Sequence, residues 1–259
     1  MVKVKKSGDF SGLASNYSKY RPDYSKSVLD AIKGLIKKND SEINFVDVGA
    51  GTGIWSRMVY ESGVKNITSI EPNEDMYKMG VADSLSTNIN WQKGSAENTN
   101  LIENSADWIS MASSFHWANF DKALKEFHRV LVPNGVFTAI WNPRLIEVNP
   151  ILIEIENYLK TLKPTLNRVS SGRSGITENL TEKLNDSIYF KDVIYIDGRH
   201  IIKMDRERYL GAWNSVNDLQ VQLGENLFKE FIEFIKKKIE NVEIIEATYL
   251  TRSWTVRKK

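Results

Sequence analysis

Residues 45–53 read Phe-Val-Asp-Val-Gly-Ala-Gly-Thr-Gly, and no other stretch of the chain limits its fold as strongly. Phe45, Val46 and Val48 suit the end of a buried strand. Gly49, Gly51 and Gly53 follow at alternate positions, and Ile54, Trp55, Met58 and Val59 then recur at helical spacing. The expected unit is strand, tight glycine turn, helix. Glycine serves such a turn because it adopts positive φ freely and lets a ligand approach the backbone. The start of the helix adds N–H groups with no partner inside the helix. Spacing argues against two phosphate-binding patterns. The pattern G-x-G-x-x-G would need glycine where Ile54 stands, and G-x-x-x-x-G-K-[ST] would need a lysine that does not follow.

Beyond this unit the chain alternates. A polar and aromatic stretch over 1–24 precedes Val28, Leu29, Ile32, Leu35 and Ile36 at helical spacing. Strands are expected at 43–48, 67–70, 89–92, 108–111 and 136–141, with a helix over 121–131 closed by Pro133-Asn134-Gly135. Strands alternating with helices imply a parallel sheet covered on both faces. The rhythm then changes. Helices are expected at 151–162, 177–185, 206–214 and 227–239, a loop at 163–176, and strands at 191–196, 200–203 and 242–254. The 259 residues suit one α/β domain with an insertion at 143–187. With no cysteine, disulfides and thiolate chemistry are excluded. The three histidines lack metal-ligand spacing, so no metal is expected. No apolar run reaches membrane-span length, and no signal core follows the basic N-terminus. A soluble, cytoplasmic protein is the expectation.

Ligands of open α/β sheets bind at the carboxyl ends of the strands. Glu71, twenty residues after Gly51, ends the second strand and could accept hydrogen bonds from both hydroxyls of a ribose, as nicotinamide enzymes also arrange. Met76 could cover a base, or fill core. Gly94-Ser95-Ala96-Glu97 follows the third strand and could meet a ring edge, or cap a helix at Ser95. Ser113-Ser114-Phe115-His116-Trp117 follows the fourth, where aromatic rings could exclude water from a reacting centre. His116 is the candidate general base, because histidine titrates near neutrality; a structural or lining role is the alternative. Asp107, at the start of that strand, reads as an orienting residue.

Asp47-x-Gly49-x-Gly51-x-Gly53 resembles the first motif of the class I S-adenosylmethionine-dependent methyltransferases, and Gly94-Ser95-Ala96-Glu97 resembles their adenine-contacting stretch. Phe115-His116-Trp117, then Arg129-Val130-Leu131-Val132-Pro133-Asn134-Gly135, then the strand to Trp141 extend the likeness to the small-molecule type, as in the ubiquinone/menaquinone and trans-aconitate methyltransferases. Those enzymes read R-V-L-x-P-G-G; Asn134 also tolerates a left-handed turn. Tyr17-x-x-Tyr20-Arg21-Pro22-x-Tyr24 resembles the family's leader, in which a tyrosine and the arginine cover the methionine moiety; Arg21 could pair with its carboxylate. The likeness runs by motif over about residues 10–142 and by pattern beyond.

This resemblance implies an α/β, Rossmann-like fold: a seven-stranded, mostly parallel sheet with helices on both faces and a helical substrate cap. It implies S-adenosyl-L-methionine, held by Tyr17, Tyr20, Arg21, Asp47, Gly49, Ala50, Gly51, Gly53, Glu71, Pro72, Met76, Ser95, Ala96, Glu97 and Ser113. Residues 1–25 would form a lid, and 143–187 the cap. The expected reaction is methyl transfer to a small-molecule acceptor bearing a carboxylate or hydroxyl, with O or N undecided. Phe115, His116, Trp117, Trp141, Arg144, Arg173 and Trp213 are candidate acceptor contacts, each of which also reads as core or surface. Competing readings are a non-catalytic adenosyl-binding protein, an RNA methyltransferase and an NAD-dependent oxidoreductase. The glycine spacing argues against the last. Thirty-five basic and 33 acidic residues, net +2, provide no broad basic field for nucleic acid, and Lys236-Lys237-Lys238 reads as a solvated helix face. Oligomeric state has no signature here.

Overall fold

A computed structural model describes residues 12–167, 172 and 175–259. Seven strands form one sheet: β1 Asn44–Val48, β2 Asn66–Ile70, β3 Asn90–Gln92, β4 Ala106–Ala112, β5 Leu131–Trp141, β6 Phe190–Met204 and β7 Ile245–Lys258. Their order is β3-β2-β1-β4-β5-β7-β6. β1 to β5 run parallel, while β7 is antiparallel to both β5 and β6. The chain leaves β1 toward β2 and returns past it to β4, so the strand order reverses beside β1. That crevice is where such sheets bind ligands.

Side-chain alternation along the strands supplies two cores. Phe45 and Trp108 face α2 (Lys26–Gly34) and α3 (Ile54–Glu61), where they meet Leu29, Ile32, Trp55 and Val59. Val46, Val48, Ile109 and Phe137 face the other side, packed by Leu124 and Phe127 of α5 (Phe120–Val130). α4 (Glu74–Asp83) follows β2.

A third core lies beyond the parallel strands. β5 pairs with β7 only as far as Trp141↔Arg252, whereas β6 and β7 continue together to Met204↔Ile245. Seven further residues carry this hairpin roughly 23 Å past the tip of β5. α6 (Pro150–Leu162), α8 (Arg206–Asn214) and α9 (Asn217–Lys238) pack with it through Ile155, Leu159, Trp213, Phe231 and Ile235. The 143–187 stretch therefore divides. α6 joins α8 and α9, while α7 (Leu180–Asn185) returns to the sheet core through Leu180 and Leu184.

Other differences have local causes. The two strands expected at 191–196 and 200–203 are one strand, β6, with a bulge near Asp192, whose φ is 56°. α5 runs directly into β5, and the Pro133-Asn134-Gly135 turn becomes a bulge with Asn134 at φ 65°. α9 starts ten residues before Leu227 because its two segments continue across a kink at Gly224, φ 70°. The N-terminal arm contains a helix, α1 (Ala14–Tyr20), wedged between α4 and α8. Among the described residues no helix is long and apolar enough to cross a membrane, and no group of His, Asp or Glu is arranged to hold a metal.

Candidate active site

The glycine turn is left-handed at all three glycines, with φ of 66°, 59° and 79° at Gly49, Gly51 and Gly53. The N–H groups of Gly49 and Ala50 both donate to the carbonyl of Ile70, at 2.8 and 3.0 Å, which pins the turn to β2. The glycines differ in surroundings. A Cβ on Gly49 would lie 2.8 Å from Ser114 Oγ, and one on Gly53 would lie 2.8 Å from the Trp91 ring. A Cβ on Gly51 would meet nothing within 4 Å. Gly51 is the open side of the turn.

Asp47 lies beneath this turn, fully buried, not on a cavity wall. Its Oδ2 accepts from Ser56 Oγ at 2.6 Å and its Oδ1 from Ser110 Oγ at 3.3 Å. Ser69 Oγ donates to Ser56 at 2.8 Å, and Trp55 Nε1 donates to Ser110 at 2.9 Å. Burial pushes the Asp47 carboxyl up to about 7, against the pull of the two serines.

Above the turn is a cavity of about 210 Å³. Gly49, Ala50 and Gly51 form one side, with Glu71, Pro72 and Met76 beside them. Glu71 Oε2 accepts from the Gly51 N–H at 2.7 Å, and Oε1 from the Asn73 N–H at 2.8 Å. Burial raises the Glu71 carboxyl above its ordinary range, opposed by those two N–H groups and by Lys93. Ser95, Ala96 and Glu97 line the opposite wall. A bridge between Ser95 and Asn98 shapes that loop, and Glu97 Oε1 accepts from the Asn119 N–H at 2.7 Å. Tyr17 of α1 and Trp117 also line the cavity.

A second lobe of about 50 Å³ shares Tyr17, Ala50, Ala112 and Ser113 with the first and adds Arg21, Tyr24, Thr52 and Asn142. Ser113, at the junction, has φ 54°, an uncommon conformation for a residue with a side chain. Its N–H donates to Ile140 at 2.7 Å and its Oγ shares a 2.8 Å hydrogen bond with the Tyr24 hydroxyl. Thr52 Oγ1, also in this lobe, is buried without a hydrogen-bond partner among the described residues. Arg21 lies over the Tyr17 ring, 4.8 Å from its centroid, and its Nε donates to Ser215 Oγ at 2.9 Å.

Several expected site residues line neither lobe. Tyr20 packs under Gly211 of α8, and its hydroxyl donates to Glu207 at 2.7 Å. Gly53 shapes the turn against Trp91. Phe115 and Trp141 are buried in the sheet core, and Trp213 in the third core. Arg144 lies over the Trp213 ring at 3.9 Å and bridges to Tyr249 of β7. Arg173 lies outside the described residues. His116 sits beside Trp117, with its Nδ1 accepting from Trp141 Nε1 at 3.3 Å. Indole nitrogen only donates, so the neutral ring carries its proton on Nε2. Burial holds the ring's pKa down at about 4. The nitrogen that would accept a proton is engaged by the Trp141 indole, which matches the structural alternative for this residue. Asn73, Met111, Ala112, Ser114 and Ala118 line the main cavity unforeseen. Ala112, Ser114 and Ala118 are small, and such residues leave no motif.

Comparison with known proteins places this geometry in context. The model of the methyltransferase domain family matches residues 46–139. An uncharacterized methyltransferase of Schizosaccharomyces pombe is 24% identical over 248 residues, covering 94% of each chain. A ubiquinone/menaquinone biosynthesis C-methyltransferase of Rubrivivax gelatinosus is 32% identical over 98 residues, 38% of each chain. Among solved structures, one described as a type II methyltransferase from Anaeromyxobacter dehalogenans superposes with a TM-score of 0.65 at 16% identity, covering 92% of this chain and 97% of the other.

Proposed function

We propose that this chain, whose residues 46–139 match the methyltransferase domain family, is a class I S-adenosylmethionine-dependent methyltransferase that holds S-adenosylmethionine in the two-lobed cavity and methylates a small-molecule acceptor. The family removes the oxidoreductase reading. The observation that carries the proposal is Glu71, a buried carboxylate at the cavity wall, fixed by the N–H of the glycine turn. An ionised carboxylate only accepts hydrogen bonds, so its spare lone pairs select a ligand presenting donors, such as the two hydroxyls of a ribose.

The residues fit the group. Met76 and Ala96 supply apolar walls for a base, and Ser95 a polar edge. In the smaller lobe, Arg21 supplies a cation for a carboxylate, and Thr52 Oγ1 an unused hydrogen-bonding atom. When bound, S-adenosylmethionine supplies a methyl group already activated on a sulfonium, so no covalent enzyme intermediate is required. The chain's own part is positioning, which is worth roughly 7–11 kcal/mol in favourable cases. Ser113 stands where the lobes meet, and Tyr17 and Trp117 shield the cavity from water.

A small acceptor is favoured over RNA because α1 packs across α4 and α8 and roofs the crevice. Two groups near Ser113 could have served as a base. His116 is held neutral with its free nitrogen protonated, and burial raises the Tyr24 phenol far above neutrality. Acceptors that react without losing a proton, carboxylates or neutral amines, therefore suit this site better than alcohols.

Calorimetric titration tests the cofactor. S-adenosylmethionine and S-adenosylhomocysteine should bind, NAD should not, and Glu71→Ala should weaken both adenosyl ligands. Binding of NAD alone, or adenosyl binding indifferent to Glu71→Ala, overturns the proposal. Transfer of labelled methyl to a panel of carboxylates, amines and alcohols then tests the acceptor class.

A further inference from the structure

The two edges of the sheet are unlike. β3 spans three residues, a length that offers little for another strand to pair with. β6 spans 15 residues and, among the described residues, pairs with β7 alone. Its bulge disturbs only the start, since the register with β7 is unbroken from Ile194↔Thr255 to Met204↔Ile245. Long edges are usually blunted by charges that repel a second copy. β6 is charged, but not with a single sign: Asp197, Arg199 and Lys203 share a face with Tyr195 and Ile201.

We propose that β6 pairs antiparallel with β6 of a second copy of this chain, about a twofold axis at Gly198, so that the two sheets become one. In such a pairing each contact is reciprocal, and directly opposed side chains lie on the same face. Faces match only when the axis passes at a residue, not between two. With the axis at Gly198, Asp197 meets the partner's Arg199 and Arg199 meets the partner's Asp197. Tyr195 meets the partner's Ile201, and on the other face Ile194 meets the partner's Ile202. An axis at Asp197 sets two aspartates against each other and Lys191 against the partner's Lys203. An axis at Arg199 sets two arginines together. Of these three registers, charge favours the one at Gly198.

The side chains this register would engage are available. Tyr195 is 43% exposed and Ile201 58% exposed, and both would be covered. Arg199 is exposed and forms no ion pair among the described residues. Asp197 accepts from the Tyr195 hydroxyl at 2.9 Å, which keeps its carboxylate on the pairing face. At the axis Gly198 presents no side chain to the partner's Gly198. The opposed sign of neighbouring charges, which would be a poor defence of an edge, is what a twofold contact needs.

Sedimentation velocity tests this on the whole chain over about 1 to 100 µM, a range that resolves dissociation constants in the micromolar region. The wild type should dimerise. Asp197→Arg, which sets like charges against each other twice, should raise the dissociation constant at least tenfold. The double variant Asp197→Arg with Arg199→Asp exchanges the two charges and should recover the dimer. Circular dichroism confirms that each variant is folded. A wild type that stays monomeric overturns the proposal, as does a dimer indifferent to Asp197→Arg. A double variant that fails to recover the dimer overturns the register and with it the proposal.

Discussion

Replacing Gly51 and Gly49 by alanine should separate the two tasks of the glycine turn. Both residues are left-handed, at φ 59° and 66°, so either substitution forces a Cβ into a conformation that costs about 1–2 kcal/mol. They part company in what the new methyl group meets. At Gly51 it meets no protein atom within 4 Å and projects from the cavity wall. At Gly49 it comes within 2.8 Å of Ser114 Oγ and 2.9 Å of Ser114 Cβ. Ser114 cannot give way freely, because its hydroxyl donates to the Val48 carbonyl at 3.1 Å. Overpacking of this kind adds about 1–3 kcal/mol. Gly49→Ala should therefore destabilise by about 2–5 kcal/mol, and Gly51→Ala by the strain alone. For a chain of this size each kcal/mol lowers Tm by about 2–4 °C. Ligand binding should rank the other way for its cause. Gly51→Ala should weaken S-adenosylhomocysteine at least tenfold, about 1.4 kcal/mol, while the protein stays folded. Urea unfolding and calorimetric titration of the same samples decide it. Wild-type affinity in Gly51→Ala, or a loss of stability equal to that of Gly49→Ala, would refute the assignment of Gly51 as the face toward the ligand.

Three further outcomes are expected. Burial lifts the Asp47 carboxyl from its ordinary 3.8 to about 7, so the folded chain binds this proton more tightly than the unfolded chain. Its contribution to stability accordingly falls as pH rises from about 4 to about 7; Asp47→Asn should flatten that slope and recover up to about 4 kcal/mol at pH 8, and an unchanged slope in urea melts would contradict the cause. With its pKa held at about 4, the His116 ring should show no titration between pH 5.5 and 8 in nitrogen-detected NMR and should carry its proton on Nε2, with His116→Gln assigning the signal; titration near 6.5 would restore it as a base candidate. Gly211→Ala would drive a Cβ to 2.2 Å from the Tyr20 ring, so α1 should lose its seat on α8, at a cost of about 1–3 kcal/mol and with faster proteolysis near residue 20; resistance equal to wild type would argue against α1 as the roof of the site.

The parallel half of the sheet was legible because its strands are short apolar runs ended by glycine, proline or acidic residues, as at Val48-Gly49 and Ile70-Glu71-Pro72. The hairpin and the helices packed on it were less so. Between its buried ends β6 alternates half-buried and exposed residues, several of them charged, and the Asp197-Gly198 pair reads as a turn although it continues the strand. α1 has one fully buried residue, Ala14, so its helical pattern is faint; neighbours on α4 and α8 hold it. At the site, the residues legible in sequence were those whose chemistry needs a particular side chain, Glu71 above all. Ala112, Ser114 and Ala118 act by being small at a strand end, a property that many loops share. His116 and Trp141 were each visible, but not their 3.3 Å contact, and that contact changes what the imidazole can do.

Asp47 and Glu71 show why residue type alone does not assign a role. Both are buried acids at the ends of adjacent strands, and burial raises both. Asp47 points to the α3 side of the sheet, where Ser56 and Ser110 occupy its two oxygens. Through Ser69 that network joins β1, β2, β4 and α3 directly beneath the turn. A carboxyl whose oxygens are taken by serines from the helix and a neighbouring strand fixes where the helix begins, and so fixes the glycine turn between them. Glu71 points to the cavity, where two backbone N–H groups hold it in place and leave acceptor capacity unused. A satisfied acid costs burial and returns geometry; a partly satisfied one at a cavity wall returns affinity for a ligand that donates. The first residue of the glycine motif is thus built into the frame, and on the proposed function the residue twenty positions after Gly51 is the one that meets the ligand.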